Sequence, residues 1–212
     1  MRNYNIIDTF VLECDKAIKT VLDRPKMSSR SQPGHDLPDP ILTVAERQQA
    51  IKLMRVNHAG EVSAQALYQG QALTAKLPGV RETMEQAAIE ENDHLVWCDQ
   101  RLTELGGHTS ILNVLWYSSS FILGAIAGRV GDKWSLGFVA ETEAQVVKHI
   151  DEHIDKLSQN DTKSHAILEQ MKVDEAHHGK VAREAGGLEL PKSIKLAMSL
   201  VSKVMTASSY RI

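Results

Sequence analysis

The sequence is short of cysteine and of excess positive charge, and each shortage excludes a class of function. The two cysteines, Cys14 and Cys98, stand in no metal-binding or redox spacing, so a disulfide scaffold is excluded and a reducing, cytosolic environment is expected. Lys and Arg number 24 against 27 Asp and Glu, and the net charge of −3 offers no surface for nucleic acid. A nucleic-acid partner is therefore not expected.

Strand patterns and targeting signals are absent as well. Asp8, Glu13 and Asp15 fit neither a signal peptide nor a basic transit peptide, so we expect no export of the chain. The glycines between residues 124 and 131 follow no strand and form no Gly-x-Gly-x-x-Gly loop, which argues against a dinucleotide-binding fold. With 212 residues, one all-α domain is the simplest expectation.

Helical periodicity divides the chain into three parts. Residues 1–42 are predicted to be an amphipathic helix at about 4–22 and a Pro- and Ser-rich linker, to which we assign no chemistry. Residues 191–212 predict a C-terminal amphipathic helix that either packs on the bundle or seeks a membrane surface. Residues 43–190 form a bundle of two helical hairpins. Its four long helices are predicted at about 43–76, 79–105, 132–158 and 162–185.

Glu-x-x-His occurs twice in these helices, and each copy follows a lone glutamate by thirty or thirty-two residues. Residues three apart share a helix face, so the carboxylate and the imidazole of each copy can bind one ion. Ferritin-like bundles with two metal ions use one Glu from each of two helices and a Glu-x-x-His from each of the other two. The predicted metal ligands are Glu61, Glu91, His94, Glu143, Glu175 and His178.

The helix faces agree with this site. At about 100° per residue, Glu61 shares its face with Met54, Tyr68 and Ala72, and the other three glutamates also fall on apolar stripes. Four buried carboxylates would repel one another at a cost of many kcal/mol, and metal ions remove that conflict. A hydrated or arginine-paired cluster is the alternative, but no Arg or Lys recurs on these faces. Tyr68 is a candidate for supporting the site or relaying electrons.

Other histidines are given lesser roles. His149 and His153 match the His-x-x-Glu-His pattern of zinc proteases, but they fall about 80° or more from the Glu143 stripe. We predict a solvent-facing pair, with a supporting role left open for His149. His58 and His177 are treated as bystanders or supporting residues.

One segment, Leu105 to Gly128, contains no charged residue and approaches transmembrane length. A single span would separate the two halves of the metal site across the membrane, so spanning is excluded. Two alternatives are left: a helix buried in the bundle or a dimer, or one that lies against a bilayer, which we favour. In either case Gly124 and Gly128 would allow close helix packing.

Three aromatic residues of this segment are the predicted points of membrane and substrate access. Trp116 and Tyr117 would lie at the level of the lipid headgroups, and Phe121 would follow them along the same helix. We therefore expect a protein that binds peripherally to the cytoplasmic face of the cell membrane.

Four motifs, in order, resemble those of the demethoxyubiquinone hydroxylase family, the di-iron monooxygenases of ubiquinone biosynthesis. The resemblance covers about residues 43–190. The motifs are Asn57-His58-Ala59-Gly60-Glu61, Glu91-Asn92-Asp93-His94, Val139-Ala140-Glu141-Thr142-Glu143 and Asp174-Glu175-Ala176-His177-His178-Gly179.

The resemblance implies a ferritin-like di-iron four-helix bundle with additional amphipathic and hydrophobic helices. It implies that two iron ions and O2 hydroxylate the ring of 2-polyprenyl-3-methyl-6-methoxy-1,4-benzoquinol in the penultimate step to ubiquinol. NADH, bound without a Rossmann domain, is the expected reductant. A homo-oligomer and other proteins of ubiquinone biosynthesis are the expected partners. The residues alone leave open whether Glu61 and Glu175 or Glu91 and Glu143 bridge the two ions, and by analogy with similar bundles Glu91 and Glu175 are the favoured bridging ligands.

A ferritin-like iron-storage or peroxide-detoxifying protein is the alternative function, and manganese is the alternative metal. The uncharged segment argues against storage, because a soluble storage shell has no use for a bilayer-seeking surface.

Overall fold

The computed structural model describes residues 6–21 and 30–212, and across these residues the regular structure consists of α-helices without strands. The all-α prediction is confirmed. The predicted residues 4, 5 and 22 of the first helix and residues 24–29 of the linker lie outside the described part. The helices are α1 Ile6–Val21, α2 Val44–Thr74, α3 Pro78–Leu105, α4 Asn113–Val130, α5 Asp132–Lys156, α6 Thr162–Glu184 and α7 Lys192–Ser209.

Local sequence signals set the helix ends. Thr43 and Glu46 form a reciprocal capping box at the start of α2. The α3 helix ends at Gly106, whose φ of 75° lies in the left-handed region that glycine adopts without strain. The side chain of Asp161 accepts a hydrogen bond from the backbone N–H of Ser164 and so caps α6.

The α2 helix packs along α3, and α5 packs along α6. Their core consists of two apolar layers, and each layer contains a residue seven positions from each predicted ligand glutamate. Seven residues are two helical turns, so the glutamates form a middle layer between the apolar ones. One layer includes Met54, Cys98, Ile150 and Leu168, and the other includes Tyr68, Met84, Leu136 and Ala182.

The α4 helix lies against α2 with their backbones in contact, as the glycine spacing predicts. A Cβ atom built on Gly124 would lie 2.2 Å from the carbonyl oxygen of Leu67, and one on Gly70 would lie 2.2 Å from that of Phe121. Real side chains do not approach backbone atoms so closely, so these positions require glycine.

The aromatic residues of α4 point toward the protein, which corrects the prediction that they face lipid. Tyr117 is only 5% exposed, and its hydroxyl donates to the side-chain oxygen of Gln69. Trp116 is half-buried, and its indole N–H donates to the hydroxyl of Ser209 at 3.1 Å. The prediction assigned the wrong side of the helix to the lipid, because residues 113–128 carry no charge that would show which side faces out.

The outer side of α4 is apolar instead. Its exposed large apolar side chains are Val114, Leu115, Ile122, Leu123, Ile126 and Val130, and the exposed polar residues Ser118 and Arg129 lie among them. The segment therefore combines the two predicted alternatives. One side of α4 is packed against the bundle, and the other side is exposed. In the described ranges 6–21 and 30–212, no helix has the length and apolarity needed to cross a membrane.

The C-terminal helix α7 packs on α2 and α5 and also exposes apolar residues, so it too has a packed side and an open side. The exposed residues of α7 are Leu196, Leu200, Val201 and Val204.

Candidate metal centre

The structure brings the six predicted ligands into the middle layer of the bundle. The four glutamates are between 0% and 3% exposed, and both histidines are buried. Each glutamate lies on the side of its helix that carries buried apolar residues two turns before and after it. Burial of these carboxylates is therefore a feature of the fold.

His94 lies at the centre of one group. Its Nδ1 atom is 3.0 Å from Glu91 Oε2, 3.0 Å from Glu175 Oε1 and 3.4 Å from Glu61 Oε2. These four residues each offer one ligand atom within 4.8 Å of the others. One imidazole N–H cannot serve three carboxylate oxygens, so the arrangement fits a cation in their midst.

His178 and Glu143 extend the group on its other side. His178 Nδ1 is 3.1 Å from Glu91 Oε1 and 3.4 Å from Glu175 Oε2. The Tyr68 hydroxyl donates to Glu143 Oε1, as expected of a supporting residue. Glu91 and Glu175 each approach both histidines through their two oxygens, the geometry required of bridging carboxylates.

Four buried carboxylate oxygens in this group accept no hydrogen bond. For three of them a histidine nitrogen lies at 3.0–3.4 Å but is not aligned for a bond. Buried polar atoms normally have partners, and oxygens left together in one space fit metal ligation. The four atoms are Glu61 Oε2, Glu91 Oε1, Glu143 Oε2 and Glu175 Oε1.

The electrostatics show the same need for positive charge. Burial raises the pKa of Glu61 and of Glu143 well above the ordinary carboxyl value, and the charge of Glu175 raises both further. Burial lowers the pKa of His178, but the adjacent carboxylates of Glu175 and Glu91 outweigh it and raise the value to about 12. Without metal, protons supply the charge that the carboxylates require.

The second ring nitrogen of each ligand histidine, Nε2, contacts an acidic residue on the opposite Glu-x-x-His helix. His94 Nε2 lies 3.0 Å from Asp174 Oδ2, and His178 Nε2 lies 2.7 Å from Glu90 Oε2. Such pairs fix the ring so that Nδ1 faces the ion. Sequence reasoning missed these acids, although a signal was present: an acidic residue immediately precedes each Glu-x-x-His.

The linker also reaches the site. Arg30 forms an ion pair with Asp174, with the two atoms 2.5 Å apart. The prediction that this segment carries no chemistry overlooked the contact, because no periodic pattern connects a linker residue to a helix 144 residues later.

The prediction of a solvent-facing histidine pair is wrong for His153, which is 7% exposed and lies 3.1 Å from Asn57 Oδ1. His149 is half-buried against Ser202 on α7. The reason is that α2, which carries Asn57, and α7 both pack against this face of α5. Neither histidine belongs to the group around His94.

The other two histidines considered from the sequence, His58 and His177, differ. His58 is buried, with Nδ1 3.4 Å from the amide nitrogen of Asn113, whereas His177 is exposed. Both lie within three residues of a predicted ligand, but neither is in the group around His94.

A helical bundle with four glutamates and two histidines buried in one layer defines a ferritin-like di-metal carboxylate protein. A family model described as "Ubiquinone biosynthesis protein COQ7" matches residues 48–209. The chain belongs to this family, whose fold is the ferritin-like di-iron bundle.

Curated relatives are similar over the whole chain. The chain is 57% identical to a protein of Nitrosococcus oceani named 3-demethoxyubiquinol 3-hydroxylase, over 99% of this chain and 98% of that one. It is 55% identical to a protein of the same name from Pseudomonas fluorescens and 54% identical to one from Pseudomonas aeruginosa, in both cases over 100% of this chain and 98% of the relative.

Proposed function

We propose that the protein is a 3-demethoxyubiquinol 3-hydroxylase, an O2-dependent di-iron monooxygenase. Its substrate is 2-polyprenyl-3-methyl-6-methoxy-1,4-benzoquinol, and it catalyses the penultimate step of ubiquinone biosynthesis. The observation that carries the proposal is the buried layer of four glutamates and two histidines, with unsatisfied carboxylate oxygens at its centre. The names of relatives that align with the full chain support the reaction.

The six side chains divide naturally between two ions. Glu61 and His94 would hold one ion, Glu143 and His178 would hold the other, and Glu91 and Glu175 would bridge them. Four carboxylates balance the charge of two Fe(II) ions, and mixed carboxylate and imidazole ligands suit iron. Two irons bound here would supply the activation of O2. The hydroxyl of Tyr68 holds Glu143 in place from the side of the second apolar layer.

An apolar cluster supports a route from α4 to the metal layer. Tyr117 and Phe121 stack with ring centroids 6.3 Å apart and belong to a cluster with Val62 and Leu95. Val62 follows Glu61 in sequence and Leu95 follows His94, so the cluster reaches the backbone of two ligands. In this proposal Tyr117 and Phe121 line the path of the polyprenyl quinol, and half-buried Trp116 lies at its edge.

Peripheral binding to the cytoplasmic face of the cell membrane is part of the proposal. The exposed apolar sides of α4 and α7 support it, because contiguous apolar surface of this kind marks a partner or a membrane. The substrate gives the physical reason: a polyprenyl chain stays in the bilayer, so the enzyme must reach it there.

A basic cavity supports NADH as the reductant. It has a volume of about 820 Å³ between α2, α5 and α7, and Tyr210 offers an aromatic ring there. The five cations on its wall outnumber the two acids, Glu141 and Glu152, which favours a ligand with two phosphates. The cations are Lys148, Lys156, Lys195, Lys203 and Arg211.

Quinone profiling tests the proposed reaction. A strain in which the gene is deleted should accumulate demethoxyubiquinone and lose ubiquinone. The wild-type gene should restore ubiquinone, whereas Glu175→Ala, which removes a bridging ligand, should not. Normal ubiquinone in the deletion strain, or rescue by Glu175→Ala, would refute the proposal. Binding of many iron ions per chain without any change in quinones would indicate the storage alternative.

A further inference from the structure

The two halves of the metal layer have matching supports outside the ligands. On α3, Gln86 donates to Glu90 at 2.9 Å, and Glu90 pairs with His178. On α6, Gln170 donates to Asp174 at 2.9 Å, and Asp174 pairs with His94. The order glutamine, acid and histidine is the same in both halves.

Arg30 breaks this symmetry. Its guanidinium bonds Asp174 Oδ2, the same oxygen that His94 Nε2 approaches at 3.0 Å. Arg30 precedes the first helix of the bundle and lies outside the span matched by the family model, residues 48–209. Arg30 therefore adds a cation to the His94 half of the site and not to the His178 half. This cation comes from a segment outside the four ligand helices.

The guanidinium is held on two helices. Its central carbon lies 4.8 Å from the ring centroid of Trp97, and its Nε atom lies 3.8 Å from Asp93 Oδ2, both on α3. Stacking on an aromatic ring and pairing with carboxylates are the contacts that a planar guanidinium makes best. Because Asp174 is on α6, Arg30 joins α3 to α6 across the outside of His94.

The path from Arg30 to the metal runs through Asp174. Nδ1 of His94 faces three glutamates, so its Nε2–H is the group that donates to Asp174. An acid held in this position fixes the ring and keeps its metal-facing nitrogen in place. Arg30 and Gln170 hold the two oxygens of that acid, one each.

We propose that Arg30 is a positioning residue that holds the Asp174–His94 pair and slows loss of the metal ion bound by His94. The inference rests on the proposed two-metal centre. The two ions have nearly equivalent ligands but should be released at different rates. The ion on the His94 side should be held longer, because Arg30 fixes the acid that pairs with His94.

Metal release from the full-length, iron-loaded protein tests this. Under an excess of Fe(II) chelator, Arg30→Gln should release one of two irons about tenfold faster, the lower end of the effect of losing such a support. The other iron should leave at the wild-type rate. Arg30→Lys, which keeps the charge but loses the fork and the stacking, should fall between. Arg47→Gln, on the exposed first turn of α2, is the matched control and should behave as wild type.

A double-mutant cycle tests the path. If Arg30 acts through Asp174, Arg30→Gln combined with Asp174→Asn should release iron no faster than Asp174→Asn alone. The inference would be overturned if the double variant released iron at a rate that multiplies the effects of the two single substitutions. It would also be overturned if Arg30→Gln accelerated the release of both irons equally or of neither. A wild-type protein that binds no iron would instead overturn the proposed function, so the two failures are distinguishable.

Discussion

The metal layer and the outer side of α4 depart from the usual distribution of side chains in opposite directions. In the metal layer, four carboxylates occupy positions that the layers above and below give to apolar residues. On α4, apolar side chains such as Ile122, which is 58% exposed, occupy positions that a free surface gives to polar ones. The buried carboxylates destabilise an isolated folded chain, and the exposed apolar surface favours association with a partner or a membrane.

The metal layer and the outer side of α4 differ in what can offset their unusual composition. Ions that the bundle encloses can offset the charge of the metal layer, whereas only something outside the molecule can cover α4. The two regions should therefore respond separately to substitution. A change in the ligands should alter metal content without altering membrane binding, and a change on the outer side of α4 should do the reverse.

The largest effect is expected from Glu143→Ala. Loss of this ligand should lower the iron content from about two per chain and abolish hydroxylation, because an incomplete ligand set leaves one ion unsatisfied. Vesicle binding should be unchanged. Glu169→Ala, an exposed carboxylate on α6, is the control. Iron analysis and turnover decide the matter, and full iron with full turnover would rule out the site.

The next largest effect is expected from Ile122→Glu combined with Ile126→Glu on the outer side of α4. Each exposed isoleucine contributes roughly 1.5 to 3 kcal/mol of transfer free energy if it enters the bilayer, so partitioning should fall by about a hundredfold or more. Iron content and the melting temperature should be those of wild type. Co-sedimentation with vesicles measures the effect, and unchanged sedimentation would refute membrane docking by this face.

A variant on the inner side of α4 sharpens the comparison. Gly124→Ala should destabilise the protein by roughly 1 to 3 kcal/mol, because the added Cβ forces apart two helix backbones in contact. Gly79→Ala is the control, since a Cβ there meets no atom within 4 Å. Urea unfolding of the metal-free proteins measures the difference, and equal stabilities of the two variants would contradict the close packing.

The sequence predicts the metal layer well because its pattern is periodic. Glutamates on apolar stripes, with apolar residues seven positions on either side, specify both the burial and the level of each ligand in the bundle. The role of the acid before each Glu-x-x-His could not be read from spacing within one helix. Asp174 and Glu90 each contact the histidine of the other helix, so the pairing appears only when the two helices pack together.

Features that depend on packing between helices were not predictable in this way. Tyr117 points inward because of the side on which α4 meets α2, and residues 113–128 of α4 contain no charged residue to indicate that side. His153 is buried against Asn57 of α2, a contact that helical angles within α5 cannot reveal. Arg30 reaches Asp174 from a segment without periodicity, so its position follows from the tertiary fold alone.

The smallest effect is expected from the pH dependence of stability at two buried histidines. Burial lowers the pKa of His58 to about 4, and burial with the nearby Lys156 lowers that of His153 to about 4, against an ordinary value of 6.5. Below pH 6.5 the unfolded chain takes up protons that the folded protein takes up only near pH 4. Stability should therefore fall as the pH falls from 6.5 toward 4, and neither histidine should contribute to this slope above pH 6.5.

Each of these histidines should account for roughly 2 kcal/mol of the loss between pH 7.5 and pH 5. Urea unfolding of the metal-free protein avoids competition between protons and metal. His153→Gln should show a shallower decline than wild type, whereas substitution of the exposed His35 by Gln should leave the slope unchanged. Parallel declines for His153→Gln and wild type would mean that His153 is accessible to protons in the folded state. The packing of His153 against Asn57 of α2 would then be looser than their 3.1 Å contact indicates.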